Sequence, residues 1–238
     1  MLFPRQFFDI QLAFAERVRT LTGIPLERAV LEYTNFYVRL GCGRDFDPNH
    51  ETWQAYLTGL RESSDPLGWT YQFYLSDAET KTTPTLALTS GCFSYSLQER
   101  DLVRLHFHNA DPSLRSPLHP TCVAQRRAEL AALFAHARRY VGGRAEVVGT
   151  SWLYNLEAYR RLFPHPYTTS GKVVQRFRSM PLWGQFVDHR SQLKAALVRQ
   201  FLDATAKLAS PAHLADVFPL QPIAVRAPVQ QFYDHYGV

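Results

Sequence analysis

Two histidines, His106 and His108, stand two residues apart in the run Leu102-Val-Arg-Leu-His-Phe-His-Asn109. In an extended strand such residues share a face, so both imidazoles would address one cleft. Imidazole titrates near neutrality, and either ring has the chemistry of a general base. Ser151 and Asn155 lie at the end of a second apolar run, Ala145-Glu-Val-Val-Gly-Thr-Ser-Trp-Leu153. Ligands of α/β sheets gather at the carboxyl ends of strands, where these two side chains could orient a substrate. The same patterns have plainer meanings. Paired histidines also line solvated sheet faces, Trp152 fits a core, and Arg126, Arg127, Arg138 and Arg139 fit the solvated face of a helix.

The elements that must position these groups follow from periodicity. Leu102 to His108 reads as a strand. A loop over 110–121 holds Pro112, Pro117 and Pro120. The helix at 124–140 turns Val123, Leu130, Leu133, Phe134, Ala137 and Val141 inward and the four arginines outward, and Gly142-Gly143 stops it. Ala145 to Leu153 is a strand buried on both faces, followed by a short helix from Leu156 to Phe163. A strand, crossover helix and strand of this size predict a parallel unit.

Upstream, helices are expected over 5–21, over 26–40, and from Asp47, as a cap, to about Leu60. Strands are expected at 69–75 and 92–97, antiparallel to Leu102–His108, with 76–90 as an exposed loop. Downstream come strands at 172–178 and 182–187, a helix at 192–208 and an extended tail ending in Phe232, Tyr233 and Tyr236. The reading is one α/β domain over 1–238 built on a mixed sheet: a helical part at 1–62, a sheet core at 69–187, and a C-terminal helix and tail at 190–238.

Composition narrows the partners. Hydrophobic residues make up 46% and charged residues 20% of 238, which excludes extensive disorder. The net charge of +5 is spread along the chain and suits a small anionic ligand better than nucleic acid. Three cysteines without a C-x-x-C predict neither disulfides nor zinc and fit a reduced, cytoplasmic protein. The start lacks a signal-peptide pattern, and no apolar run is long enough to span a membrane. His106, His108 and His119 have no carboxylate or cysteine at metal-binding spacing. Ser170-Gly-Lys172 lacks the upstream glycine of a phosphate loop. Cys92 has no nucleophile elbow.

The order of elements is similar to that of the GCN5-related N-acetyltransferases. Over roughly residues 100–180, Leu105-His-Phe-His108, the helix at 124–140, Val148-Gly-Thr-Ser-Trp-Leu153 and Gln175-Arg-Phe177 resemble the GNAT-like C-terminal domain of bacterial acyltransferase-related proteins. The resemblance implies an N-acyltransferase with an acyl-CoA as co-substrate, no tightly bound cofactor, and a small-molecule or peptide amine as acceptor. His106 or His108 would then be the base, and Tyr154 or Tyr159 the acid, as tyrosine is in that superfamily. The departure is at the pyrophosphate loop. Where the superfamily has Gln/Arg-x-x-Gly-x-Gly/Ala, this chain has Asp111-Pro-Ser-Leu-Arg-Ser-Pro-Leu-His-Pro120, without glycine. Arg115, Arg126 and Arg127 would have to hold phosphate by charge instead. The rival expectation is a non-catalytic relative of that fold, serving as a binding or scaffold module.

Overall fold

The computed structural model describes residues 2–76, 87–97, 101–110, 115–178 and 180–238. In chain order its elements are α1 (Arg5–Thr22), α2 (Leu26–Tyr33), α3 (Phe36–Arg39), α4 (Glu51–Glu62), α5 (Pro66–Ser76), β1 (Leu88–Ser90), β2 (Phe93–Leu97), β3 (Leu102–Phe107), α6 (Val123–Ala137), β4 (Glu146–Ser151), α7 (Glu157–Arg160), α8 (His165–Thr169), β5 (Lys172–Val173), α9 (Met180–Trp183), α10 (Ala195–Lys207), β6 (Ile223–Pro228) and α11 (Gln230–Tyr236). It is a mixed α/β structure. The chain divides into two compact units, Met1–Thr83 with Gln175–Leu220, and Pro84–Val174 with Gln221–Val238.

The described elements of the first unit are helical. Its core gathers Phe14, Trp183, Phe186, Phe201 and Phe218 at 4% exposure or less, with ring centroids 4.7 to 6.2 Å apart among the tilted and edge-on pairs. Several strand expectations are overturned here. Residues 69–75 are helical because Asp65 caps α5: its Oδ1 accepts the Gly68 N–H at 2.9 Å, with Pro66 in the first turn. The alternation of rings in Trp69-Thr-Tyr-Gln-Phe is met by a helix because Trp69 donates Nε1–H to Tyr56 O at 2.9 Å. Residues 182–187 fold as the end of α9 and a 3-10 turn, burying Trp183 and Phe186 together.

The helix expected over 26–40 breaks at Thr34, which lies in extended backbone. Its hydroxyl bonds Val30 O and accepts the Phe36 N–H, while the Asn35 N–H goes to the Gln11 side chain. Asp47 caps a turn at Asn49, and α4 starts four residues later. The loop expected at 76–90 lies largely outside the described residues, and its end is strand β1.

The second unit is built on a six-stranded sheet in the order β1-β2-β3-β4-β6-β5. The first three strands are antiparallel, β3 and β4 are parallel with α6 between them in sequence, and β6 is antiparallel to both β4 and β5. The strand expected at 172–178 is only Lys172–Val173. The tail is not an irregular extension. Its residues Ile223–Pro228 form an interior strand paired with β4 over six positions. The aromatics that follow do dock, with Phe232 and Tyr236 stacked on Phe134 of α6 at 4.6 and 5.5 Å.

Candidate functional site

The parallel strands β3 and β4 pair at Leu102↔Glu146, Val103↔Val147 and Arg104↔Val148, and no further. Both strands continue for three more residues, each held on its outer side by β2 or β6. Leu105-His-Phe107 and Gly149-Thr-Ser151 therefore flank a divergence in the sheet. Backbone groups on its inner edges lie where a ladder would otherwise use them.

Gly149 begins the β4 side of this divergence. A Cβ there would stand 2.2 Å from the Tyr154 hydroxyl and 2.5 Å from the Tyr167 hydroxyl. Glycine is required because two phenols pack directly against the strand. The two hydroxyls bond each other at 2.8 Å. Tyr159 stands edge-on to Tyr154 at 5.1 Å and to Phe107 at 5.4 Å. All three tyrosines are buried, and burial pushes each phenol well above its ordinary value. They stay protonated across the usable pH range and serve as hydrogen-bond donors.

Along β3, Val103, Leu105 and Phe107 join the core cluster or pack against it together with the tyrosines. The pleat sends Arg104 and His106 to the opposite face. There the His106 Nε2 sits 2.9 Å from the Ser96 hydroxyl, beside the buried Ser94 and Ser96 of β2. His106 and the tyrosines thus lie on opposite faces of the sheet at the same divergence. His108 follows the end of β3, where its N–H bonds Cys92 O at 3.0 Å. Desolvation lowers its imidazole pKa, against the pull of the Glu129 carboxylate.

The basic candidates separate. Arg126 was expected to face outward but is 1% exposed. Its guanidinium pairs with Glu129 at 2.7 Å and reaches Cys92 Sγ, while the other Glu129 oxygen accepts the Cys92 N–H at 3.0 Å. This latch ties α6 to the β1–β2 turn. It also explains Gly91, whose φ is +55° and whose Cβ would strike the Glu129 carboxyl. Arg127 is exposed against His235 at 3.2 Å, and Arg115 is exposed.

Residues 111–114 of the proline loop lie outside the described residues. In the remainder, the N–H groups of Leu118, His119, Thr121 and Cys122 bond Ser116, His119 and one another's turns. Ser151 caps the 3-10 turn at Trp152–Asn155, its Oγ accepting the Leu153 N–H at 3.1 Å. Asn155 donates to Trp152 O and Gln221 O at 2.7 and 2.9 Å, tying that turn to the segment before β6.

Sequence reasoning missed Tyr167 and Gly149. A lone glycine inside a strand is a sign of close approach. Tyr167, after Pro164-His-Pro166, carried no such signal. Among the described residues no group of three or more His, Cys, Asp or Glu side chains is placed to hold a metal. No helix among them is long and apolar enough to cross a membrane. No family model, curated protein or solved structure matches the chain.

Proposed function

We propose that the second unit is a GNAT-like N-acyltransferase domain that takes an acyl-CoA and passes the acyl group to an amine. The observation that carries this reading is the divergence of β3 and β4 after three paired positions, with protonated tyrosine hydroxyls against Gly149. A thioester arm can lie in such a gap as an added strand, taking backbone hydrogen bonds from both edges.

In the reaction the amine nitrogen attacks the thioester carbonyl and the C–S bond breaks. His106, oriented by Ser96, takes the amine proton. Tyr154, already bonded to Tyr167, would face the departing sulfur. A buried phenol is a weaker acid than a thiol of pKa about 8.5, so it stabilises the thiolate by donating a hydrogen bond. The proton that completes the thiol comes from solvent. Because the tyrosines and His106 occupy opposite faces, the amine would approach from the His106 side, with the thioester between.

A second reading, a binding module of the same fold without the coenzyme site, is favoured by the loop before α6. Among its described residues the amides of Leu118, His119, Thr121 and Cys122 are spent within its own turns, and Arg126 is spent on Glu129. Thermal melting with acetyl-CoA and longer acyl-CoAs separates the two. At one hundred times Kd, binding adds about 2.7 kcal/mol of stability, a readily measured rise in Tm. No rise with any acyl-CoA at millimolar concentration removes the acyltransferase reading and leaves the binding module.

A further inference from the structure

The helical unit holds a feature that the reading of the sheet does not use. Arg176 and Arg178 both lie over the ring of Phe46, their guanidinium carbons 5.6 and 4.3 Å from its centroid. The two charges are therefore no further apart than the sum of those distances. Partial desolvation, then the neighbouring Arg178, lowers the pKa of Arg176. Among the described residues no carboxylate pairs with either group. A fold that gathers like charges without a counter-ion keeps a repulsion that an anion would relieve.

The platform beneath them is strained. Phe46 has φ of +58°, a left-handed conformation that a bulky side chain rarely takes. It is held there from both sides. The Tyr37 hydroxyl donates to Asp45 Oδ1 at 2.8 Å and accepts the Asp47 N–H at 3.1 Å, while the Tyr37 ring stacks on Phe46 at 5.1 Å. Asp45 is thereby engaged with Tyr37 rather than with the arginines. Arg44, exposed, sits in the same loop. Strain that its surroundings over-determine is a mark of a binding site.

A contrast within this unit sharpens the point. Arg39 also stacks on rings, with its guanidinium carbon 4.0 Å from the Phe3 centroid and 5.8 Å from that of Phe7. Its Nε is closed off from solvent and without a partner, as in a structural clamp. Arg176, by contrast, is exposed and Arg178 half-exposed, so an incoming anion can reach both.

We infer that Arg176 and Arg178, presented on the Phe46 platform, form a binding site for the phosphate group of a small phosphorylated ligand. Guanidinium forks match phosphate oxygens two at a time, and two cations suit a dianion. This site is independent of the acyl-CoA reading.

The test uses the full chain and glycerol 2-phosphate, followed by calorimetric titration against potassium chloride at matched ionic strength. Saturable binding with a Kd of about 1 mM or tighter is expected. It should weaken about tenfold in Arg176→Gln and vanish in Arg176→Gln/Arg178→Gln. Arg176→Gln leaves the Arg178 stacking in place, so its reading does not depend on the double variant folding. No phosphate-specific heat over chloride, or affinity unchanged in Arg176→Gln, overturns the proposal.

Discussion

Two aromatic clusters, one in each unit, are built for different ends. In the helical unit the rings of Phe14, Trp183, Phe186, Phe201 and Phe218 pack on one another, and the polar atoms among them go to nearby backbone, as Trp183 Nε1 does to Phe177 O. In the sheet unit Tyr154, Tyr159 and Tyr167 carry hydroxyls into the core and set two of them against Gly149, where β3 and β4 part. The first arrangement maximises apolar burial. The second spends burial on hydrogen-bond donors, which costs stability unless each finds a partner. That difference is the reason the proposed acyl transfer is placed in the sheet unit.

The comparison predicts a graded set of effects. Phe14→Ala removes a ring that five other aromatic rings touch within 6.5 Å. It should cost about 3–5 kcal/mol in denaturant unfolding. Arg126→Met strands the Glu129 carboxylate and should cost about 3 kcal/mol, whereas Arg126→Met/Glu129→Gln should recover most of it. Equal losses in both variants would mean that the ion pair is not the latch. Gly149→Ala drives a methyl into two hydroxyls and should cost about 1–3 kcal/mol, with partial rescue by Tyr154→Phe. Without that rescue, the phenols would not be what crowds the strand.

The smallest effect is on pH. His108 and His235 both have folded pKa values below 6.5 because burial disfavours their charge. In the window from 6.5 down to those values the unfolded chain binds more protons, so stability is full above pH 6.5 and falls as pH drops through it. His108→Gln should flatten this slope in Tm measured from pH 7.5 to 5. A slope that stays the same would assign it elsewhere.

Legibility followed the same division. The sequence of strand, helix and strand from Leu102 to Ser151 was readable because apolar strands and a helix of clear period were separated by glycines and prolines. Residues 69–75 and 182–187 read as strands, yet fold within α5 and across the end of α9 and the turn after it, because their aromatic runs satisfy both periods. The Asp65-Pro66 cap was the local signal that decides the first case. Strand β6 was hidden because its proline-rich surroundings resemble a loop, and its pairing with β4 is set by tertiary contact. The break between the units follows no compositional change.

At the candidate site, the sequence singles out His106 and His108 by type and spacing, but not their surroundings. Strand parity put both on one face, but β3 ends at Phe107 and His108 follows it, within reach of the Glu129 carboxylate. Only the fold shows that Ser96 meets His106, that the tyrosines lie across the sheet from it, and that Arg126 turns inward to Glu129. Helical period alone put Arg126 outside, because periodicity does not reveal a carboxylate one turn on that draws a cation into the core.

The central claim is that the parting of β3 and β4 is a thioester site. Its most direct test is calorimetric titration of the full chain with acetyl-CoA, beside Gly149→Val, whose side chain would displace the Tyr154 and Tyr167 hydroxyls from the strand. The account predicts saturable binding to the wild-type chain and its loss in the variant, with a cooperative melt retained. Binding of equal affinity in Gly149→Val, or none in the wild-type chain, would contradict it.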